Sequence, residues 1–206
     1  MDFDKLGITQ TNITIVYERL DLEALDRNAL RRDLVEGTAP VVTEIPNEMI
    51  ALTYPQLQIA CLLGDRRVRI NDGSQLPIGE RPIAAIAVAT DKLVNSQVVA
   101  YGFNYDAVVS LTGVESSGIL LKDRFLQDPG GIEERLNGMI QAISLRLLYR
   151  HDRADYQLTV ESEANDRIKV HLNAHFEKPG ALPDAETLQI SFKREFATFV
   201  TTLKAL

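Results

Sequence analysis

The stretch that decides the fold is Asp166–Phe176, DRIKVHLNAHF, in which apolar and polar residues alternate without interruption. Such alternation is typical of a β-strand with one face in the core and the other in contact with solvent. The apolar positions are Ile168, Val170, Leu172, Ala174 and Phe176. The polar positions are Arg167, Lys169, His171, Asn173 and His175. Two of the chain's three histidines are therefore predicted to share one polar sheet face.

Two upstream segments, 141–150 and 155–162, predict strands that pair with a strand at 167–176. A two-residue turn at Asp152-Arg153 sets Tyr149 opposite Tyr156, and a turn near 164–166 sets Val160 opposite Val170. The polar face then contains the cross-strand rows Arg150–Asp155–His175, Leu148–Gln157–Asn173, Arg146–Thr159–His171 and Ser144–Glu161–Lys169. Opposite charges are neighbours in the first and last rows, which favours this register.

The rest of the chain predicts further strands and several helices. Strands are expected at 12–19, 50–54, 57–63 and 68–70, and one long strand at 97–112. Helices are expected from Asp21 to a stop at Gly37, at 79–94, 117–127 and 132–139, and from Asp184 onward. The fold class that follows is α+β, an antiparallel sheet with helices packed on one face.

The order strand, helix, three strands, helix occurs twice, in residues 1–96 and 97–206. The halves share no evident sequence identity, so the order reflects either an old duplication or a coincidence common in strand-rich α+β chains. In both cases we expect one α+β domain over residues 1–206. The long strand that begins at Gln97 is expected to join both halves in one sheet.

Composition limits the classes of function. The formal net charge of −7 disfavours general nucleic-acid binding, which depends on clustered Lys and Arg. Cys61 is the only cysteine, the start MDFDKLGITQ is not a signal peptide, and no apolar run reaches the ~18 residues of a membrane span. These features predict a cytoplasmic protein that does not enter the membrane.

The polar face around His175 is the main candidate site. A face that carries Arg150, Asp155, His171, Asn173 and His175 can recognise a polar partner. An alternative is a small hydrolase or metal-dependent enzyme in which Asp155 orients His175 as a general base. The third possibility is a solvated face whose charges pair across strands. His171 and His175 are about 13 Å apart on a strand, too far to share a zinc ion that needs ligands at ~2.1 Å.

Three other features of the sequence have more than one interpretation or a structural one. Arg67 and Arg69 share a strand face, and they either meet an acidic partner or phosphate or pair with surface carboxylates. Cys61 is expected in the core. The apolar stripe of the last helix either covers the sheet or docks on a second copy.

No stretch demands a cofactor. Residues 113–118 lack the lysine of a phosphate-binding loop and the spacing of a dinucleotide fingerprint, and Ser116 fits a helix N-cap equally well. The sequence thus favours a non-catalytic α+β protein that binds a protein partner or assembles with itself as a homo-oligomer. The biological process is not specified by any motif.

Overall fold

A nine-stranded antiparallel sheet organises the computed structural model, which describes residues 6–32, 34, 37–164 and 166–206. The strands are β1 Leu6–Tyr17, β2 Val41–Ile45, β3 Met49–Tyr54, β4 Ile59–Gly64, β5 Arg67–Asp72, β6 Val98–Ser110, β7 Ser144–His151, β8 Ala154–Ala164 and β9 Arg167–Gly180. The helices are α1 Arg27–Leu30, α2 Ile83–Asp91, α3 Ser117–Phe125, α4 Pro129–Leu136 and α5 Ala185–Ala205.

The strand order is β2-β3-β4-β5-β1-β6-β9-β8-β7. Long strands β1 and β6 lie side by side at the centre and pair antiparallel, and β6 also pairs with β9. The long strand therefore joins the two parts of the chain in one sheet, as the sequence predicts. The α+β class with helices on a sheet is confirmed.

The predicted register of the last three strands is also confirmed. Tyr149 pairs with Tyr156, Asp155 with His175, and Gln157 with Asn173. This success has a physical reason: a short turn fixes the first hairpin, and a slip of one residue would move every apolar side chain out of the core. Residue 165, within the predicted second turn, lies outside the described residues.

Helices cover one face of the sheet. Helix α2 packs on β1 and β5, α5 packs on β6, and α3 packs on β8. The predicted stripe of α5 faces the sheet, where Leu188, Phe192, Phe199 and Leu203 are buried. Its use in the intrachain core is confirmed by the stacking of Phe192 on Tyr105, whose hydroxyl donates to the Phe192 carbonyl at 2.6 Å.

Two predicted helices were wrong in extent. The helix predicted from Asp21 shrinks to α1, because Asp26 caps it by accepting from the amides of Asn28 and Ala29. Asp21 instead closes its own turn by accepting from Glu23 and Ala24. Residues 33, 35 and 36 of that predicted helix lie outside the described residues. The helix predicted at 79–94 is limited to α2.

Strand β2 was not predicted. It is a short, mostly exposed strand between Pro40 and Pro46, so it lacks the apolar alternation of a half-buried strand. Its presence gives the first half four strands after α1, where the predicted layout had three. No helix in the described part of the chain is long and apolar enough to cross a membrane.

Candidate functional site

The face of the sheet opposite the helices is uncovered, and we call it the open face. All seven residues predicted as site residues lie on it: Arg67, Arg69, Arg150, Asp155, His171, Asn173 and His175. The two predicted clusters were separate in the sequence. The order β5-β1-β6-β9 brings them to the two sides of the sheet centre.

A row of four asparagines crosses the centre of the open face. Asn71, Asn12, Asn104 and Asn173 are successive cross-strand neighbours on β5, β1, β6 and β9. The Asn173 amide donates to Asn104 at 2.8 Å, and the Asn104 amide donates to Asn12 at 2.6 Å. Sequence reasoning missed this row. Each asparagine occupies a polar position of its strand, but the pairing of β1 with β5 and β6 is set by long-range packing.

Asp155 is held by Arg150. The Arg150 guanidinium donates two hydrogen bonds to the Asp155 carboxylate, both at 2.6 Å. Arg150 therefore lowers the pKa of Asp155, and Asp155 raises that of Arg150. Within the described residues Asp155 makes no hydrogen bond to His175, whose neighbouring carboxylate is Glu177 at 4.0 Å. The geometry gives no support to a base oriented by Asp155.

His171 has the closer acidic partner. Its Nδ1 lies 2.8 Å from the Asp106 carboxylate on β6, and both side chains are partly buried. This partner of His171 is not predictable from the sequence, because Asp106 belongs to a strand whose register with β9 is not set by a turn. The described residues contain no group of three His, Cys, Asp or Glu side chains arranged to hold a metal ion.

Arg67 and Arg69 border a hollow at the centre of the open face. This central hollow has a volume of about 260 Å³ and is lined by Thr14, Val16, Arg67, Arg69, Tyr101, Gly102, Asn104, Asn173 and His175. Gly102 lies between Thr14 and His175 in its cross-strand row, so no side chain fills that position. A Cβ there would lie 3.0 Å from the Ala174 carbonyl oxygen. The hollow therefore depends on glycine.

The β2–β4 end of the open face is apolar. Successive side chains along a strand point to opposite faces of the sheet. In β3, Ile50, Leu52 and Tyr54 point into the core. The opposite set contains two threonines, Thr43 and Thr53, and six apolar residues, which we call the apolar end: Val41, Ile45, Met49, Ala51, Ala60 and Leu62. Val41 is 58% exposed and Ile45 is 45% exposed. A second hollow of about 250 Å³ joins Met49 and Leu62 to Arg67 and Arg69.

A larger cavity of about 640 Å³ lies where α5 meets the β7–β8 turn. It contains none of the predicted site residues. Its buried carboxylate, Glu195, accepts from the Tyr156 hydroxyl at 2.6 Å and from Arg194 at 3.0 Å. These partners satisfy both carboxylate oxygens, so the cavity offers no unpaired buried charge to a ligand.

Two predictions outside the open face are confirmed. Cys61 is fully buried, and burial raises the pKa of its thiol to about 12, so it is a core residue. Ser116 is the N-cap of α3, where its hydroxyl accepts from the Ile119 amide at 3.4 Å.

Comparison with known proteins adds little. No family model matches the chain, and no curated protein matches it. One solved structure with some similarity is the Mycobacterium tuberculosis type VII secretion system chaperone EspG5 in complex with the PE25-PPE41 dimer. The match covers 92% of this chain and 71% of that one, at 12% identity and a TM-score of 0.22. A similarity this weak supports no conclusion about fold or function.

Proposed function

We propose that this protein is a non-catalytic binding protein that docks a protein partner on the open face of its sheet. One observation carries the proposal: the uncovered face combines the apolar end with two adjacent arginines that make no ion pair with any described carboxylate. Apolar side chains next to arginine are the composition that protein interfaces favour at their centres.

The size of the face supports this function. Nine strands at ~4.8 Å spacing span about 38 Å, and five to six residues per strand span about 18 Å. The product, about 700 Å², is close to the roughly 800 Å² that each partner buries in a standard protein interface. An antiparallel sheet tolerates one solvated face, but a face that only contacts water does not need exposed Val41 and Ile45.

The alternative of a hydrolase or metal-dependent enzyme has less support. It needs His175 in a concave pocket with Asp155 within hydrogen-bond reach. Asp155 is instead occupied by Arg150, and the His175 side chain is 37% exposed beside a shallow hollow.

The test compares affinity capture by the wild-type chain with capture by Ile45→Asp and Leu62→Asp variants. The matched control is Ile190→Asp, at an exposed position of α5 on the opposite side of the sheet. We expect a partner that is retained by the wild type and the control and is lost with both open-face variants. Its contact with the open face is then checked by hydrogen exchange of the purified complex. Equal recovery on all four chains would overturn the proposal.

Self-assembly is the second candidate, and the edge strand β7 favours it. β7 has eight residues without proline, and in the described structure it pairs only with β8. The other edge, β2, is shorter and lies between two prolines, which protects it from pairing. A second copy of β7 is thus a possible tenth strand, related by a two-fold axis.

The side chains of β7 favour one of the two registers in which two copies of the strand overlap most. An antiparallel pair centred on Leu147 sets Leu145 opposite Tyr149 and Arg146 opposite Leu148. A pair centred on Leu148 would set Arg146 opposite Arg150, which places like charges together. We therefore expect the Leu147-centred register.

Sedimentation velocity tests this register at Leu148, which is 70% exposed and therefore outside the core. Leu148→Lys faces Arg146 of the second copy and is expected to weaken the dimer. Leu148→Glu faces the same arginine and is expected to preserve it. A wild-type chain that stays monomeric at high concentration, or equal weakening by both variants, would rule out this dimer.

A further inference from the structure

We propose that the central hollow binds an oxyanion group, the carboxylate or phosphate of an acidic ligand, between Arg67 and Arg69 on one side and His175 on the other. The inference deepens the proposed function, since it names the chemistry of the group that a partner would place there. The affinity of the hollow for a free anion is nevertheless measurable without any partner.

The first support is the state of the two arginines. The chain carries 29 acidic residues and a net charge of −7, so an exposed arginine has many possible partners within the molecule. Six other arginines do form ion pairs: Arg19, Arg27, Arg81, Arg150, Arg167 and Arg194. Arg67 and Arg69 form none with a described carboxylate, although both are exposed on the same strand face. Their guanidinium groups are therefore free to accept an external anion.

The second support is the shape of the row that contains Arg69. The order Arg69, Thr14, Gly102, His175 crosses four neighbouring strands. Three strand spacings separate Arg69 from His175, about 14 Å between their backbones. The intervening positions carry only a threonine and a glycine, so the space between the long arginine and the imidazole stays open. A group of a few atoms can contact both sides at once.

The third support is an ordered donor at the edge of the hollow. Asn173 donates one amide hydrogen to Asn104 at 2.8 Å, which fixes the plane of its side chain. Its second amide hydrogen has no partner within the described residues. Amide and guanidinium donors together favour carboxylate and phosphate oxygens, and charge-assisted hydrogen bonds are the stronger kind.

None of the described carboxylates near the hollow forms an ion pair with Arg67 or Arg69. Glu177 is 4.0 Å from His175, and Asp155, in the same row as His175, is neutralised by Arg150. Glu48 and Asp65 line the second hollow together with the two arginines but lie outside ion-pair distance of them. Two guanidinium groups without a paired carboxylate suit one oxyanion and not a nucleic-acid backbone that needs many phosphate contacts.

The test is a titration of the full chain with inorganic phosphate, followed by NMR signals of the arginine Nε–H groups and the Asn173 side-chain amide. Acetate is the second titrant, and ionic strength is held constant with NaCl. We expect saturable shifts at these groups. Arg67→Gln/Arg69→Gln is expected to weaken binding about tenfold or more, since it removes charge-assisted hydrogen bonds.

Arg66→Gln is the control for nonspecific loss of a guanidinium charge, because it removes one such charge from the neighbouring turn and Arg66 does not line the hollow. It is expected to leave the affinity within about twofold. Unchanged backbone shifts outside the hollow show that each variant is folded. Shifts that do not saturate, or equal losses in Arg66→Gln and the double variant, would overturn the inference.

The two titrants separate the sources of the anion. Tighter binding of phosphate indicates a phosphorylated ligand, and comparable binding of acetate indicates acidic side chains. Saturable anion binding without a partner that depends on Ile45 and Leu62 would uphold the hollow and overturn the proposed function. A partner that depends on Ile45 and Leu62 but is recovered equally well by Arg67→Gln/Arg69→Gln would uphold the proposed function and overturn the inference about the hollow.

Discussion

Asp72 and Arg81 form a charged pair beneath the first half of the sheet, where both side chains are almost completely buried. The Arg81 guanidinium lies 3.7 Å from Asp72 and donates to the Thr11 hydroxyl at 3.1 Å and to the Leu76 carbonyl at 2.9 Å. Burial lowers the pKa of Arg81, and the Asp72 carboxylate opposes that shift. The pair is thus costly to bury and more costly to break.

Arg81→Ala is expected to reduce the free energy of unfolding by about 3–5 kcal/mol, because it leaves the Asp72 charge buried without its cation. Urea denaturation measures the change. Arg66→Ala, at an exposed turn position, is the control and is expected to change stability by less than about 0.5 kcal/mol. A loss below about 1 kcal/mol for Arg81→Ala would mean that water or another group replaces the guanidinium.

Cys61 gives the chain a pH-dependent stability. The native thiol has a pKa of about 12, whereas an exposed thiol ionises near 9. Between these values the unfolded chain loses a proton that the native chain keeps, so stability falls as pH rises above 9. The contribution is about 1.4 kcal/mol per pH unit.

The slope, and not the absolute stability, tests this prediction. Urea denaturation of the wild type and of Cys61→Ala is compared between pH 8 and pH 10. The buried tyrosines contribute to the decline in both proteins, so the difference between the two slopes reports the thiol. Cys61→Ala is expected to show a shallower decline from pH 9 upward. Parallel slopes for the two proteins would mean that the thiol ionises equally in both states.

At the scale of elements, the sequence was informative where local rules determine the structure. The hairpin β7–β8 and its extension to β9 were predicted in the correct register, because turns and apolar alternation act over short distances. Helix α5 was predicted for the same reason, from the regular apolar stripe that follows Asp184, the residue that caps the helix in the structure. Strand β2 and the shortening of the first helix were missed, since edge pairing and competition between Asp21 and Asp26 leave no periodic signal.

The candidate site shows the same division. The individual polar positions were predicted, and their partners in distant strands were not. Asp106 contacts His171, Asn104 contacts Asn173, and Arg69 borders the central hollow. These contacts form only because the strand order is β5-β1-β6-β9. That order results from packing of long-range segments, which a single sequence does not encode in any local pattern.

The asparagine row offers a test of how these strands are held. Asn104 both accepts from Asn173 and donates to Asn12, so Asn104→Ala removes two hydrogen bonds between partly buried groups. We expect a loss of about 1–2 kcal/mol in the free energy of unfolding. Asn71→Ala is the matched control in the same row, because Asn71 makes no side-chain hydrogen bond to a described residue. Equal losses of stability for the two variants would mean that the loss comes from placing alanine in a strand and not from the two hydrogen bonds.

At the scale of the whole molecule, the pairing of β1 with β6 has a mechanical consequence. It places the junction between residues 1–96 and 97–206 inside the most buried part of the sheet, with Ile13 and Ile15 beside Phe103 and Tyr101. Helices α2 and α5, one from each half, also pack together. Separating the halves would expose apolar surface on both, which favours folding as one unit.

We therefore expect residues 1–206 to behave as a single domain that unfolds in one cooperative transition. Native-state hydrogen exchange is the measurement, because it reports opening free energies strand by strand. The slowest amides of β1 and of β6 should exchange with the same free energy, equal to that of global unfolding, and β2 should exchange faster because it is short and exposed. If β6 and β9 kept full protection under conditions in which β1 and β5 had already exchanged, the halves would be independent domains. The open face would then consist of two surfaces that move relative to each other, and the central hollow, which needs Arg69 and His175 from opposite halves, would not persist as one site.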